Sequence, residues 1–405
     1  SPDAAKNVRR MMAGTAVMKS GMETITLSVP LLALTAFGGI SGVAGLVVVY
    51  GLAQAVFASM AGGLADRFSA RKVLAGAVAA QAALVGTLIA VGAAGALSMG
   101  TLIPLYLLIG GVTGVIETAR HSIPTLLLGQ DEAALKKYNA KLHIAYEVAG
   151  VAGALTAGAL IAVVGPLWSL AIQPPVFALA AWYFWRVRHP LPSGGTPAAA
   201  GIGAKIRDYF GDVKAGAKLV LGDPRMRWVA LAFVLPQIVH RVFESLLIPV
   251  FAKTVLMAPQ ASAWLLTASN LGELLGAVLL LKLASRFKGP AGWVKYGALG
   301  LLLIWGLAAT TSLPFLLPLI LFSSLSWAAS DLSLRSEVQG KIAEKDQPRA
   351  LSFLYGAFVL GSAVMSLALG GLLDALGMGL ALYWICGGIT ALALAVFVAS
   401  RRLKN

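Results

Sequence analysis

The chain has 405 residues, of which 58% are hydrophobic and 12% charged, and its mean hydropathy is +0.82. These values exclude an ordinary water-soluble domain, in which about half of the residues are apolar and about a quarter are charged. The single cysteine, Cys386, excludes a disulfide within the chain, and no Cys/His cluster has the spacing of a metal site. We therefore expect a membrane protein with no metal ion and no cofactor.

Apolar stretches close to the length of a membrane-crossing helix recur along the whole sequence. Membrane β-strands would show a strict alternation of polar and apolar residues, and the sequence does not alternate in this way. The pattern predicts an all-α membrane protein with twelve transmembrane helices. We expect these spans at 11–36, 41–62, 73–95, 99–120, 143–165, 167–187, 228–252, 259–283, 291–311, 313–331, 350–374 and 378–400.

The formal net charge of +15 raises the question of a nucleic-acid partner. All but three of the 32 lysines and arginines fall in the termini, in the loops on the same side as the termini, or in the ends of the spans next to these loops. The exceptions are Lys19, Arg241 and Lys253. Short basic loops mark the cytoplasmic face, so we expect both termini inside the cell (inner) membrane. The basic charge is attributed to topology and to the lipid bilayer, and no nucleic-acid partner is expected.

A segment rich in Pro, Gly and Ala divides the spans into two groups of six. It leads into a stretch whose apolar residues, among them Phe210 and Val213, recur at helical spacing. This pattern predicts an amphipathic helix on the inner membrane surface, with a solvated linker helix as the alternative. The expected domains are a six-helix bundle at 1–187, a cytoplasmic linker at 188–227 and a second six-helix bundle at 228–405.

The two groups of six spans have similar residues at corresponding positions. Span one carries Lys19 and Glu23, and span seven carries Arg241 and Glu244 at corresponding positions. The loop after span two reads LADRFSARK, and the loop after span eight reads LASRFKGPA. Many transporters are built from such repeats, so a duplicated six-helix unit is the simplest explanation.

The loop after span two resembles that of the major facilitator superfamily, whose pattern there is G-x-x-x-D-R-x-G-x-R-K. The chain departs from the pattern at Ser69, where the family prefers glycine. The resemblance implies two pseudo-symmetric six-helix bundles, the major facilitator fold. It also implies that the acidic residue of the loop docks on the other half at the cytoplasmic face. The alternative for the basic residues is that they only set the membrane topology and bind anionic lipid headgroups. The matching residues are Gly62, Asp66, Arg67, Arg71 and Lys72.

Two further stretches resemble the branch of this family that includes enterobactin and multidrug exporters. They are SGMETITLSVPLL in span one, where Glu23 takes the acidic position, and ARHSIPTLLLGQDEAALKKYNA after span four. Span five matches the antiporter signature only in part, because Ala154 stands where proline is expected. The resemblance implies export, and the departure leaves the direction of transport open.

Ionisable groups within the bilayer cost about 3 kcal/mol or more each, so each one is a functional candidate. Lys19 and Glu23 lie four residues apart on one helix face, as do His240 and Glu244. The resemblance implies that spans one and seven line the substrate cavity. Static ion pairs and hydrogen-bonded core groups are the alternative at every position. The candidates for substrate binding or proton coupling are Lys19, Glu23, His240, Arg241, Glu244, Asn270 and Glu273.

A second set of charged residues falls near the expected cytoplasmic ends of the spans. We expect these residues to form salt bridges that gate the cytoplasmic mouth, and a permanent structural network is the alternative. The set consists of Glu117, Arg120, Glu147, Asp331 and Arg335.

The sequence predicts a secondary active transporter that works by alternating access. Proton-coupled export of an amphipathic small molecule is expected, such as a drug, a metallophore or siderophore, or a lipid-like compound. The alternative is an uptake or facilitated-diffusion carrier for a small polar or zwitterionic metabolite. An enzyme is not expected, because the sequence has neither a His-Glu-x-x-His motif nor a Gly-rich phosphate loop. The expected partners are the substrate, protons and lipid, and we expect a monomer.

Overall fold

The computed structural model describes residues 2–128, 132–188, 202–283, 290–342 and 347–402. All regular structure within these ranges is helical, and they contain no strand. The helices are α1 (Pro2–Phe37), α2 (Ile40–Phe68), α3 (Ala70–Ala93), α4 (Met99–Leu128), α5 (Glu132–Ser169), α6 (Gln173–Trp185), α7 (Ile202–Gly222), α8 (Pro224–Val242), α9 (Ile248–Thr254), α10 (Ala261–Leu283), α11 (Pro290–Leu303), α12 (Gly306–Ala309), α13 (Leu313–Lys341) and α14 (Gln347–Arg402), with a 3₁₀ turn at Leu170–Ile172 and a π-helical turn at Phe243–Leu247.

The helices follow the apolar spans read from the sequence. In the described part of the chain, nine helices are long and apolar enough to cross a membrane. Two of them, Lys141–Trp185 and Phe353–Arg402, each contain two predicted spans. The backbone kinks inside them at Gly165 (φ 79°) and at Gly377 (φ 71°), conformations that glycine adopts without a steric penalty. The total of twelve spans stays a prediction.

The chain forms two compact units, each with its own set of packed helices. Unit 1 comprises Ser1–Gly38 and Leu46–Arg207. In this unit α1 packs against α5 and α6, and α3 packs against α4 and α6. Its core is apolar and includes Met18, Leu74 and Phe177, all fully buried. This packing positions the charged residues of α1 against α4 and α5.

Unit 2 comprises Gly39–Gly45 and Asp208–Asn405. Helix α13 lies against α10, α11 and α8, and α14 lies against α8 and α11. The linker stretch predicted to be helical forms α7, which packs on the first turn of α14. A Cβ atom at Gly216 would lie 2.0 Å from the carbonyl oxygen of Arg349, so only glycine allows this approach.

The first turn of α2 belongs to unit 2 because Asp374 of α14 binds it. The backbone N–H groups of Ile40 and Ser41 donate to the two carboxylate oxygens of Asp374, each at 2.9 Å. A helix N-terminus has backbone N–H groups without intrahelical partners and a positive potential, so it favours a carboxylate. Asp374 therefore serves as the N-terminal cap of a helix that is more than 300 residues away in sequence.

Ser69 connects α2 to α3 in a strained backbone conformation. Its φ and ψ angles are 70° and 139°, a region that non-glycine residues rarely occupy. Its side chain makes no capping hydrogen bond to α3. This is the loop position at which the major facilitator pattern has glycine, so the departure from the pattern carries a steric cost.

We expect Ser69→Gly to stabilise the protein by about 1 kcal/mol, because glycine adopts this backbone conformation without a Cβ clash. Ser69→Ala is the matched control, since it removes the hydroxyl and keeps the clash. Thermal unfolding of both variants in detergent gives the comparison. A Ser69→Gly protein that unfolds at or below the temperature of Ser69→Ala would show that the strain at this turn is negligible.

Candidate functional site

Lys19 and Glu23 form an ion pair inside α1. The ammonium group of Lys19 contacts Oε1 of Glu23, one helical turn further along the chain. Glu23 is only 3% exposed. Both residues lie within Ala5–Phe37, one of the helices that are long and apolar enough to cross a membrane. The pair predicted from the sequence spacing is therefore present and buried.

Tyr146 of α5 joins this ion pair to a second one on α4. The ammonium group of Lys19 lies 4.8 Å from the centre of the Tyr146 ring, and the guanidinium of Arg120 lies 5.1 Å from it. Both distances are typical of cation–π contacts. Arg120 also binds the carboxylate of Glu117, three residues before it in α4. We call Lys19, Glu23, Glu117, Arg120 and Tyr146 the first-half cluster.

The close approach of α1 and α5 depends on a missing side chain. A Cβ atom at Gly153 would lie 2.4 Å from the carbonyl oxygen of Ser20, which is backbone and cannot rotate away. Small residues allow helices to approach closely in this way. Ser20 follows Lys19 directly, and Gly153 follows Tyr146 by two turns of α5. This contact therefore sets the distance between the cation and the aromatic ring.

His240 is the centre of a separate group of side chains in unit 2. Its Nε2 atom lies 2.9 Å from Oε1 of Glu273 on α10 and 3.5 Å from Oε1 of Glu244, one turn further along its own chain segment. The indole of Trp327 on α13 stacks on the imidazole, with ring centres 3.9 Å apart and planes at 10°. We call His240, Glu244 and Glu273 the second-half cluster.

The backbone at Glu244 departs from the α-helix. Phe243–Leu247 form a π-helical turn between α8 and α9, and such turns occur frequently at functional sites. The hydroxyl of Ser269 on α10 donates to Oε1 of Glu244 at 2.8 Å, and it also bonds to Ser324 on α13 at 2.8 Å. The carboxylate of Glu244 is thus held by hydrogen bonds that reach two further helices.

The remaining candidates are placed differently in the two units. Glu147 is buried on α5 with the Nδ1 atom of His143 at 3.7 Å, and Asp331 accepts a hydrogen bond from Gln237. Arg241 makes no ion pair with a residue that the structure describes. Asn270 is 5% exposed, and Arg335 lies in α13 with its side chain outside the described residues.

Most side chains of the loop motif also lie outside the described residues, namely those of Gly62, Asp66 and Arg67. Arg71 is described: its guanidinium donates to the carbonyl oxygen of Val187 at 2.8 Å, at the end of α6. Lys72 is exposed. The sequence motif gave no sign of the contact between Arg71 and the end of α6, because it joins residues 116 positions apart.

An all-helical chain with long apolar helices defines a multi-pass membrane protein, and its buried ionisable side chains are of the kind found along substrate and ion pathways. The chain belongs to the Major Facilitator Superfamily, whose sequence model matches residues 11–329. It is therefore a transporter of small molecules, not an enzyme. No curated protein matches the chain.

Solved transporters share the fold at low sequence identity. The nucleoside transporter NupG aligns with a TM-score of 0.73 and 13% identity over 97% of this chain and 98% of its own. A bacterial homologue of the iron transporter ferroportin, in an inward-facing state, aligns with a TM-score of 0.73 and 14% identity over 98% of this chain and 99% of its own. A peptide transporter in complex with alafosfalin aligns with a TM-score of 0.73 and 12% identity over 98% of this chain and 95% of its own. At these identities the likeness establishes the fold alone.

We expect Gly153→Ala to destabilise the protein by about 1–3 kcal/mol, because the new methyl group overlaps the backbone of α1. Gly86→Ala on α3 is the matched control, since nothing lies within 4 Å of a Cβ atom there. The control gains up to about 1 kcal/mol from the better helix propensity of alanine. Thermal unfolding in detergent measures both, and equal stability of the two variants would contradict the close contact of α1 and α5.

Proposed function

We propose that the chain is a proton-coupled secondary transporter that works by alternating access, with Glu23 as the residue that carries the coupled proton. The observation behind the proposal is the buried ion pair of Lys19 and Glu23 inside an apolar helix. A buried ion pair adds little net stability compared with apolar residues of similar size. Its presence in a membrane-crossing helix therefore favours a functional role.

Proton binding at Glu23 would give the first-half cluster two electrostatic states. The ion pair exists only while the carboxylate is charged. A proton on Glu23 removes the counter-charge from the ammonium of Lys19, which keeps its contact with the Tyr146 ring. Since Tyr146 also contacts Arg120 of α4, the change alters contacts among three helices. A ligand shifts a conformational equilibrium only through different affinities for the two states, and a proton at this position meets that condition.

The proposed cargo is an amphipathic small molecule that is exported. Support comes from the resemblance of span one to the exporter branch. The second candidate is uptake of a small polar or zwitterionic metabolite, which the mixture of Lys19 with Glu23 in one cluster favours. The solved structures of similar fold include a nucleoside transporter, a homologue of an iron transporter and a peptide transporter. Because these cargoes differ so widely, the fold does not identify the cargo of this chain, and a ligand screen is needed.

A thermal-shift screen of the purified chain would distinguish the two candidates. The panel contains lipophilic organic cations, iron-free and ferric hydroxamate siderophores, lysophospholipids, nucleosides and dipeptides. A ligand that binds only the folded state raises the unfolding temperature in proportion to its saturation. Stabilisation by the amphipathic compounds supports export of such molecules; stabilisation by nucleosides or dipeptides alone favours the uptake carrier.

The test of proton coupling uses Glu23→Gln together with the double variant Lys19→Gln/Glu23→Gln. The single variant leaves the Lys19 charge without its partner and is expected to lose stability, whereas the double variant removes both charges. In proteoliposomes with an internal pH dye, a stabilising compound from the screen should drive proton movement through the wild-type protein. Both variants should lose this proton movement.

The double variant separates coupling from folding. If the ion pair only holds helices together, the folded double variant moves protons at the wild-type rate, and the assignment of Glu23 as the proton carrier fails. If Glu23 carries the proton, the double variant still binds the compound and lets it equilibrate, but moves no protons.

We also infer a position in the inner membrane with both termini in the cytoplasm, since the basic residues gather in the loops on that side. The native cysteine is buried, so an added cysteine can be labelled over a low background. In intact spheroplasts an impermeant maleimide should label Ala96→Cys, in the turn after α3, and spare Asn405→Cys until the membrane is permeabilised. The reverse labelling pattern would invert the topology.

A further inference from the structure

The second-half cluster places three metal-ligand atoms around one point. Nε2 of His240 and one carboxylate oxygen each of Glu244 and Glu273 all lie within 4.8 Å of one another. Bonds of about 2.1 Å from a transition metal to imidazole nitrogen and carboxylate oxygen place neighbouring ligand atoms roughly 3.0–3.4 Å apart. The two distances from His240, 2.9 and 3.5 Å, lie just below and just above this range, so a small side-chain movement would bring them into it.

The charge of the cluster also favours a cation. Two glutamates share a single imidazole, so the three groups together carry at least one net negative charge whenever both carboxylates are ionised. His240 and Glu244 lie in Pro224–Thr254, one of the helices that are long and apolar enough to cross a membrane, where charge is costly unless it is neutralised. A divalent ion neutralises both carboxylates at once.

Neighbouring side chains hold the three candidate ligands in place. The stacked indole of Trp327 fixes the plane of the imidazole, and the Ser269 hydroxyl orients the Glu244 carboxylate. Outer-shell contacts of this kind are typical of protein metal sites, in which they fix the orientation of the ligands. The π-helical turn places Glu244 outside the ordinary register of α8, beside the side chain from α10.

A further polar group lies on the same face as Glu273. Asn270 precedes Glu273 by three residues on α10, which places the two on one side of the helix. Its side chain is buried, and its amide nitrogen has no hydrogen-bond partner among the described residues. The amide nitrogen is a hydrogen-bond donor and does not bind a cation, so the partner that it lacks is an acceptor, such as a water molecule or an anion.

We infer that His240, Glu244 and Glu273 bind a first-row divalent transition metal ion, such as Mn²⁺, Fe²⁺, Co²⁺ or Zn²⁺. One imidazole nitrogen with carboxylate oxygens suits these ions. Ca²⁺ and Mg²⁺ prefer oxygen ligands alone, and Cu⁺ prefers sulfur. The sequence itself shows no metal-binding motif here, because Glu273 lies 33 residues from His240 and on a different helix. The inference concerns equilibrium binding and does not rest on proton coupling at Glu23.

The test is a titration of the purified full-length chain, free of a histidine tag, with Co²⁺ in detergent. Co²⁺ bound to a mixed nitrogen and oxygen site of low symmetry has visible d–d absorption, which reports on the ligands directly. We expect one Co²⁺ per chain, displaced by Zn²⁺, which binds such sites more tightly. Excess Mg²⁺ and Ca²⁺ should leave the absorption unchanged.

Two ligand variants and one control make the test specific. His240→Gln and Glu273→Gln should each weaken Co²⁺ binding by at least about tenfold, and Ser269→Ala should weaken it by about tenfold through the orientation of Glu244. His143→Gln is the matched control: its side chain is 41% exposed, it lies in unit 1, and it should bind Co²⁺ as the wild type does.

Wild-type Co²⁺ affinity in both Glu273→Gln and His240→Gln would overturn the inference. Loss of Co²⁺ binding in His143→Gln would also overturn it, because it would identify an adventitious ion only, bound at an exposed histidine. Thermal unfolding of each metal-free variant shows whether it is folded. If His240→Gln does not fold, Glu273→Gln and Ser269→Ala decide the outcome. A failure of proton movement in the Glu23 experiment leaves this result unaffected, because no gradient is used.

Discussion

A charged side chain inside an apolar span must find its counter-charge or its hydrogen bonds within the protein, because hydrocarbon supplies neither. This constraint explains the positions of the buried charges in both units. In unit 1 it brings Lys19 to Glu23 and Arg120 to Glu117, with the Tyr146 ring between the two cations. In unit 2 it brings two carboxylates to one imidazole. The helices that carry these groups are held together by polar contacts as well as by packing.

The two clusters satisfy the constraint with different chemistry. The first-half cluster pairs two cations with two carboxylates around one aromatic ring, so its formal net charge is zero when all four groups are ionised. The second-half cluster has two carboxylates for one basic group, and its side chains are oriented by Trp327 and Ser269. The two units of the chain thus carry ionic clusters of different composition.

Contacts within one helix could be predicted from the sequence, and contacts between helices could not. The pairs Lys19–Glu23 and His240–Glu244 follow from a spacing of four residues, and the long apolar stretches predicted the helices themselves. The contact of Glu273 with His240 depends on how α10 is rotated and shifted against α8, which periodicity does not specify. The same holds for Tyr146, because nothing in the sequence distinguishes its ring from the other aromatic side chains of the spans. The strain at Ser69 was signalled by the sequence, as a serine where the family pattern has glycine.

The contact between Asp374 and the first turn of α2 has a consequence for biogenesis. A multi-pass protein enters the membrane in the order of its synthesis, so α2 is inserted long before the ribosome reaches Asp374. During that interval the N–H groups of Ile40 and Ser41 lack the carboxylate that binds them in the finished protein. The first turn of α2 therefore gains these two hydrogen bonds only after α14 has been made, and the contact between the two helices is among the last to form.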